Sequence, residues 1–296
     1  MNTLTWLIRR EIWEHRAIWM VPAAILVLLL AASVTGHIAL GPLNLMEFEA
    51  GQRQLEGIPA EERGLAVAVV MAVIIGFFLA VMSFVGTFYA LDALYADRRD
   101  RSVLFWKSMP VSDLETVLSK LLTAAVVIPL VGLLAGFLGF LVIATGVSVK
   151  LGLAGGSASL FWMPGTMLQV LAAMTGLVFT YMLWLLPVIA WLMLASAWAP
   201  RAPFLWASLP VFAAGTLENL AFGSERVFEL AGYRLMGAPE RLFTGPGGDW
   251  RTLAEGEIFT RVFGLLASPD MWLGWVAAAG LITATIWVRR YREESI

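Results

Sequence analysis

The chain has 296 residues, of which 59% are hydrophobic and only 14% are charged. Soluble domains carry about 45–50% apolar and about 25% charged residues, so this composition excludes a soluble domain and predicts an integral membrane protein in contact with the lipid bilayer. The formal net charge of −2 gives no basic field for a nucleic acid. The absence of cysteine excludes disulfides, thiolate metal sites and cysteine nucleophiles.

Residues 1–17 mix aromatic and charged side chains ahead of the first apolar run. Trp6, Arg10, Trp13 and Arg16 recur at helical spacing, a pattern typical of an amphipathic helix that lies in the membrane interface. The alternative is a plain charged leader in front of a span. A cleavable signal peptide has a short apolar core close to its start, so we expect the first span to be retained.

Six apolar blocks follow, each long enough, at about 1.5 Å per residue, to cross a hydrocarbon core of about 30 Å. A bilayer admits only helices or closed barrels, and the two-residue alternation of barrel strands is missing. We therefore expect an all-α, polytopic fold in which residues 1–296 form one transmembrane domain. The predicted spans are 18–40, 65–91, 114–147, 167–198, 203–222 and 271–288.

The basic side chains indicate how these spans are oriented. If the spans alternate, most Lys and Arg residues of the short loops fall on one side, which the positive-inside rule marks as cytoplasmic. We expect a multi-pass protein of the bacterial cytoplasmic (inner) membrane with both termini in the cytoplasm. The residues on that side are Arg9, Arg10, Arg16, Arg98, Arg99, Arg101, Lys107, Lys120, Arg201, Arg289, Arg290 and Arg292.

The second and third spans are notable for aromatic and small residues rather than for ionisable groups. Phe84 and Phe88 lie in an uncharged, aromatic stretch of the second span, where they are candidates for a substrate pathway or gate. Gly132 and Gly136 of the third span form a pair of small residues that lets helix backbones approach closely. We expect these glycines to pack helices within the chain rather than between two copies.

The segment 92–113, between the second and third spans, is the most charged part of the chain. Residues 94–107 are predicted to form a short cytoplasmic helix that ends at Pro110, after which Ser112 or Asp113 caps the third span. The alternative is a solvated loop, which the positive-inside bias alone would produce. In the helical interpretation Leu94 and Tyr95 face the membrane edge, while Arg98, Arg99 and Arg101 face the cytosol.

This segment resembles the cytoplasmic coupling segment of type 2 ABC exporter permeases. It reads DRRDRS at 97–102 and KSMPVSD at 107–113, with Met109 where the family usually has leucine. The opening WLIRREIWE at 6–14 resembles the connecting helix before the first span of that family. By this resemblance, residues that contact an ATPase are Asp97, Arg98, Arg99, Asp100, Arg101, Ser102, Trp106, Lys107, Pro110 and Asp113.

The resemblance implies a permease that pairs with a second permease copy, as a homodimer or a related heterodimer. Each copy would sit on a cytosolic ABC ATPase subunit. The chain has no Gly-Lys pair and hence no phosphate-binding loop of the G-x-x-x-x-G-K-S/T type. We therefore expect no enzymatic activity and no cofactor in this chain, with ATP and Mg²⁺ held by the partner ATPase.

Further candidates for the substrate pathway or a gate are Trp184, Trp191 and Glu218. Trp184, Trp191 and Trp198 recur every seven residues on one face of the fourth span. Trp184 and Trp191 would lie deep in the bilayer, where they line a path for an amphipathic substrate or fill a seam between helices. Glu218 near the end of the fifth span is either an interfacial carboxylate or a gate residue.

Residues 223–270 contain many glycines and two apolar stretches, 228–236 and 258–266, that are too short to cross a membrane. Non-crossing backbone at membrane depth must be shielded by protein. We expect short or re-entrant helices on the outer side. Their role stays open.

Two other functions fit parts of the sequence. A membrane anchor or scaffold could bind a cytosolic partner through the same charged segment without moving a substrate. A prenyltransferase-like enzyme could hold Mg²⁺ on Asp92, Asp97 and Asp100, although the later inside turn at 199–203 has no carboxylate. For a transporter, the apolar and aromatic spans favour amphipathic or lipid-linked cargo over ions.

Overall fold

A computed structural model describes residues 3–35, 59–100, 111–153, 155, 157–243 and 257–292. This part of the chain is helical and contains no strand, which confirms the all-α prediction. The α-helices are α1 Thr3–Glu14, α2 Ala17–Thr35, α3 Ala60–Arg99, α4 Asp113–Leu122, α5 Ile128–Leu153, α6 Pro164–Trp198, α7 Pro203–Phe222, α8 Arg226–Phe243, α9 Glu257–Leu266 and α10 Pro269–Arg292.

Five helical segments of the described residues are long and apolar enough to cross a membrane. They are consistent with a multi-pass membrane protein, and they overlap all of the predicted spans except the fifth. That block forms α7, which falls outside this set because its polar residues, above all Glu218 and Asn219, lower its hydropathy. The five segments are Ala17–Val34, Ala60–Arg99, Asp113–Leu153, Pro164–Trp198 and Pro269–Tyr291.

The helix α3 is longer than the span predicted at 65–91. Its 40 residues rise about 60 Å, so its last turns extend beyond a hydrocarbon core of about 30 Å. The prediction of a separate helix that begins at residue 94 is wrong, because residues 92–99 contain no glycine or proline and simply continue α3. The helix ends at Asp100. The remainder of the predicted helix, residues 101–107, lies outside the described residues.

Helices α3, α5 and α6 form the centre of the bundle, with α2 packed on α5 and α10 on α6. Close approach of α3 and α5 depends on Gly136, since a Cβ atom there would lie 2.6 Å from the Cα atom of Ile75. Gly132 faces the side chain of Met82 in α3, where an added Cβ atom would lie 3.1 Å from Cγ. Packing within the chain, predicted for these glycines, is confirmed for both.

A π-helical turn, Thr123–Val127, joins α4 to α5 in one continuous segment. Ser112 caps α4, because its side chain accepts a hydrogen bond from the amide of Glu115 and the Glu115 carboxylate bonds back to the Ser112 amide. This reciprocal capping box leaves Asp113 in the first turn of the helix. Of the two caps considered from the sequence, Ser112 is the one used.

The described residues between α6 and α10 form three helices that pack mainly on α6 and on one another. Helix α7 ends at Gly223, whose φ of +63° is a left-handed conformation that favours glycine. The apolar stretches 228–236 and 258–266 lie within α8 and α9. Their predicted position at the outer side of the membrane stays a prediction.

Candidate functional site

Charged side chains from four helices meet at one end of the bundle in what we call the ion network: Glu11 of α1, Asp97 of α3, Asp113 and Lys120 of α4, and Arg289 of α10. Lys120 Nζ lies 3.0 Å from Glu11 Oε1 and 3.4 Å from Asp97 Oδ1. Arg289 lies 3.3 Å from Asp97 Oδ2 through Nη1 and 3.0 Å from Asp113 Oδ1 through Nε. The chain of charges alternates in sign, and we call this end of the bundle the network end.

The centre of the ion network is withdrawn from solvent. The side chains of Glu11 and Lys120 are 1% exposed and that of Arg289 is 2% exposed. A buried charge without a partner costs several kcal/mol, so the alternation is what makes this burial tolerable. Each member therefore depends on its neighbours, and the four helices are tied into one unit.

Glu11 has further partners beside Lys120. The Tyr89 hydroxyl donates to Glu11 Oε2 at 2.8 Å, and Arg10 lies 2.9 Å from Glu11 Oε1. Burial by itself raises the pKa of Glu11, but Lys120 and Arg10 outweigh burial and hold this pKa below its ordinary value. Glu11 is therefore an anion at neutral pH.

The network residues reach one another because of where they lie on their helices. Asp113 and Lys120 are two turns apart in α4, so they project from the same side of that helix. Leu7 and Glu11, one turn apart, form the buried side of α1. The capping box of α4 sets where this helix begins and hence the position of Asp113.

Arg98 is partly buried against the end of α6. It donates hydrogen bonds to the carbonyls of Ser196 and Ala199, at 2.7 and 2.8 Å, where α6 ends. The Ser196 hydroxyl in turn lies 3.0 Å from the amides of Leu94 and Tyr95. A cation at a helix C-terminus satisfies carbonyls that have no partner within the helix. Arg98 thus fixes the end of α3 to the end of α6.

The other predicted coupling residues have different surroundings. Asp97 and Asp113 belong to the ion network, whereas Arg99 and Asp100 form an exposed pair with 3.1 Å between Nε and Oδ1. Exposed pairs of this kind contribute about 0–1 kcal/mol. The remaining predictions fall on residues outside the described part of the chain: Arg101, Ser102, Trp106, Lys107 and Pro110.

Sequence reasoning missed Glu11, Lys120 and Arg289 as site residues. The positive-inside rule explains the positions of Lys120 and Arg289 without reference to an opposite charge, so it gives no reason to search for one. A stronger signal was present, since Lys120 lies inside the apolar block 114–147. A charge within a span is costly enough to require an opposite charge nearby, which gave a reason to look for carboxylates around Lys120.

Phe84 and Phe88 line an open groove between α3 and the first residues of α2 and α7. The structure does not bring the other pathway candidates to this groove. Trp184 is fully buried, donates to the carbonyl of Arg234 at 2.9 Å and stacks with the Arg234 guanidinium. Trp191 donates to the carbonyl of Ala207 at 3.0 Å. These contacts place both tryptophans in seams, with α8 and α7 respectively.

Glu218 caps the following helix. Its carboxylate accepts hydrogen bonds from the Ser224 hydroxyl at 2.6 Å and from the amides of Arg226 and Val227 at 3.2 and 2.9 Å. Amides in the first turn of a helix have no partner within it, and a carboxylate satisfies them well. The geometry thus supports a structural role of Glu218 at the α7–α8 turn.

The three aspartates considered for Mg²⁺ point to different surroundings. Asp97 is engaged with Lys120 and Arg289, while Asp92 lines the groove and Asp100 pairs with Arg99. Within the described residues, no group of three or more His, Asp or Glu side chains is arranged to hold a metal ion.

Comparison with known proteins finds no matching family model and no significant similarity to a curated protein or a solved structure.

Proposed function

We propose that the chain is the membrane-spanning permease subunit of an ATP-driven ABC exporter. It forms the substrate pathway and couples this pathway to a separate cytosolic ATPase subunit. The observation that carries the proposal is the ion network, because it ties both flanks of the charged segment, through Asp97 and Asp113, to α1 and α10.

The network offers a physical route for coupling. Asp97 lies near the end of α3 and Asp113 at the start of α4, so a partner that displaces the connection between these helices moves both carboxylates. Lys120 and Arg289 are buried against them and must follow, since separation would leave buried charges unpaired at a cost of several kcal/mol. Motion at the segment thereby reaches α1 and α10 as a unit.

Six membrane crossings are part of the proposal. Helix α6 ends at the network end, where Arg98 binds Ala199, and α10 returns to that end, where Arg289 binds Asp97. Since α10 begins about 30 Å earlier, the chain between Trp198 and Pro269 has to pass from one end of the bundle to the other. Helix α7 has 20 residues, enough for about 30 Å, and we assign it the fifth crossing.

The basic residues support an orientation with the network end in the cytoplasm of a bacterium, where the ATPase resides. Both termini then lie in the cytoplasm. The functional assembly is a dimer of permeases on ATPase subunits, which supply ATP and Mg²⁺ binding. The alternative is a scaffold that binds a cytosolic partner through the same segment without transport.

The test is purification of the full chain, expressed in its own host, followed by ATPase assays in nanodiscs. An ABC ATPase should co-purify, and Arg99→Glu combined with Arg101→Glu should lower the stimulated ATPase rate. Arg201→Glu, an exposed arginine in the turn between α6 and α7, is the matched control and should change little. A permease that stays monomeric, without an ATPase partner, in detergent and in nanodiscs contradicts the proposal.

Transport assays separate the permease from the scaffold. Vesicles that contain the complete complex should accumulate an amphipathic substrate when ATP is present, and such a substrate should raise the ATPase rate. Partner binding without flux and without any effect of substrates on ATPase activity would favour the scaffold.

A further inference from the structure

The groove beside α3 has a volume of about 630 Å³, within the range of roughly 300–1,000 Å³ for small-molecule sites. It lies between α3 and the first residues of α2 and α7, with Ile18 and Phe204 on its sides. Phe84 and Phe88 remain 70% and 63% exposed along it. These side chains do not fill the core of the bundle, so they are available to a ligand.

The length and polarity of the groove match a single lipid. Its lining follows α3 from Val81 to Tyr95, a rise of about 21 Å. Half of a bilayer about 40–45 Å thick, head groups included, has the same length. His15, Asp92 and Tyr95 lie toward the network end, and the deeper lining is apolar. One leaflet has this same order, with head groups outside and hydrocarbon inside.

The charge at the mouth of the groove indicates the head group. With histidine counted as neutral, Asp92 is the only charged side chain among the described residues that line it. Its pair with Arg99 is loose, with 3.8 Å between Oδ1 and Nη1, and both side chains are about half exposed. Such a pair contributes little, so a ligand can separate it. Asp92 then suits a ligand cation, and Arg99, whose Nε stays on Asp100, offers Nη1 to an adjoining anion.

We propose that this groove binds one phospholipid of the leaflet at the network end, with a primary ammonium head group on Asp92. The phosphate lies toward Arg99, and an acyl chain covers Phe84 and Phe88. A primary ammonium is preferred over a head group without a cation because it donates charge-assisted hydrogen bonds to the carboxylate. The site does not depend on ATP-driven transport, so either proposal can fail without the other.

The first test measures lipid selectivity of the full chain in nanodiscs that contain equal amounts of phosphatidylethanolamine and phosphatidylglycerol. Native mass spectrometry after release should show phosphatidylethanolamine retained at least about tenfold over phosphatidylglycerol. Asp92→Asn should lower the retention of phosphatidylethanolamine about tenfold, as expected for loss of a hydrogen bond to a charged group. Glu14→Gln, which removes an exposed acid at the same end outside the groove, should leave retention unchanged. Equal retention of both lipids, or no effect of Asp92→Asn, overturns the proposal.

A second test asks whether the groove is covered by lipid or by another copy of the chain. The chain has no cysteine, so Phe84→Cys introduces a unique thiol at the groove. The electron paramagnetic resonance spectrum of a spin label at this position should be broadened by phosphatidylethanolamine that carries a nitroxide on its acyl chain. The broadening should weaken when Asp92→Asn is added. Phe77→Cys, on the same helix and 55% exposed but outside the groove, is the control and should not respond to Asp92→Asn. A disulfide-linked dimer through residue 84 would show that a second copy covers the groove and would overturn the lipid site.

Discussion

At the scale of single residues, the molecule places its strongest electrostatic constraints on a few buried charges. Lys120 is bonded to both Glu11 and Asp97, and Arg289 bridges Asp97 and Asp113. Because these groups are shielded from water, removing one partner leaves the others uncompensated. The exposed pair of Arg99 and Asp100 lacks this property, although it belongs to the same charged segment.

We expect Lys120→Met to destabilise the protein by about 3–5 kcal/mol, because Glu11 and Asp97 then lose the buried cation that they share and keep only Arg10 and Arg289. Thermal unfolding in detergent measures this as a large fall in Tm. Arg99→Met is the control and should change stability by less than about 1 kcal/mol. The double variant Lys120→Met with Glu11→Gln should recover part of the loss. Equal Tm values for the two single variants would contradict a buried network.

The lowered pKa of Glu11 predicts a pH dependence. A carboxyl whose pKa is lower when folded contributes stability above its ordinary pKa of about 4.3. That contribution is lost as the pH falls through the folded value. The difference in unfolding free energy between the natural chain and Glu11→Gln should thus be largest near pH 7 and shrink in acid. A difference that grows as the pH falls would contradict the assignment.

At the scale of helices, close packing and capping explain features that composition leaves open. Gly136 allows α5 to touch the backbone of α3 at Ile75, and Glu218 satisfies the first amides of α8. Continuous helical propensity carries α3 through Arg99. Residues 94–99, which were expected to begin a separate short helix, are therefore the last residues of α3.

Gly136→Ala should separate α3 from α5, because the new Cβ atom would meet backbone that has no way to rotate aside. The expected cost is about 1–3 kcal/mol, seen as a lower Tm in detergent. Gly76→Ala, in the interior of α3 with no atom within 4 Å of the added Cβ, should instead raise stability by about 0.5–1 kcal/mol. The same sign for both variants would contradict the close approach.

Loss of the Glu218 cap should loosen the start of α8. Glu218→Ala is expected to cost about 1 kcal/mol, with faster hydrogen exchange at the amides of Arg226 and Val227. Glu229→Ala, which removes another acid from the first turn of the same helix, should change exchange at these amides much less. A strong change in transport with unchanged exchange would favour the gate role considered from the sequence.

At the scale of the whole molecule, the network end gathers α1, the end of α3, the start of α4 and the ends of α6 and α10. The groove that we propose to bind a lipid opens at the same end. The proposed coupling segment, the proposed lipid site and the ion network are therefore neighbours. A bound lipid would lie against α3, the helix that carries Asp97.

Single cysteines can test the proposed topology, since the chain contains none. Asp100→Cys and Arg201→Cys should be labelled only from the cytoplasm, and Lys150→Cys and Glu225→Cys only from outside, by a membrane-impermeant maleimide in intact cells and inverted vesicles. If Arg201→Cys and Glu225→Cys were labelled from the same side, α7 would not cross the membrane, contrary to the six-span proposal.

The sequence by itself determined that this is a helical, multi-pass membrane protein. Placing a charge in lipid is costly, so the membrane spans are visible in the sequence as long apolar blocks. It also located the cap of α4 to within two residues and the packing role of Gly132 and Gly136, since capping and small-residue motifs are local. Only the tertiary structure decided which charges meet. Glu11 and Lys120 are 109 positions apart, and Asp97 and Arg289 are 192 apart. No local pattern encodes such pairs, because they exist only once packing has brought separate helices to the same end of the bundle.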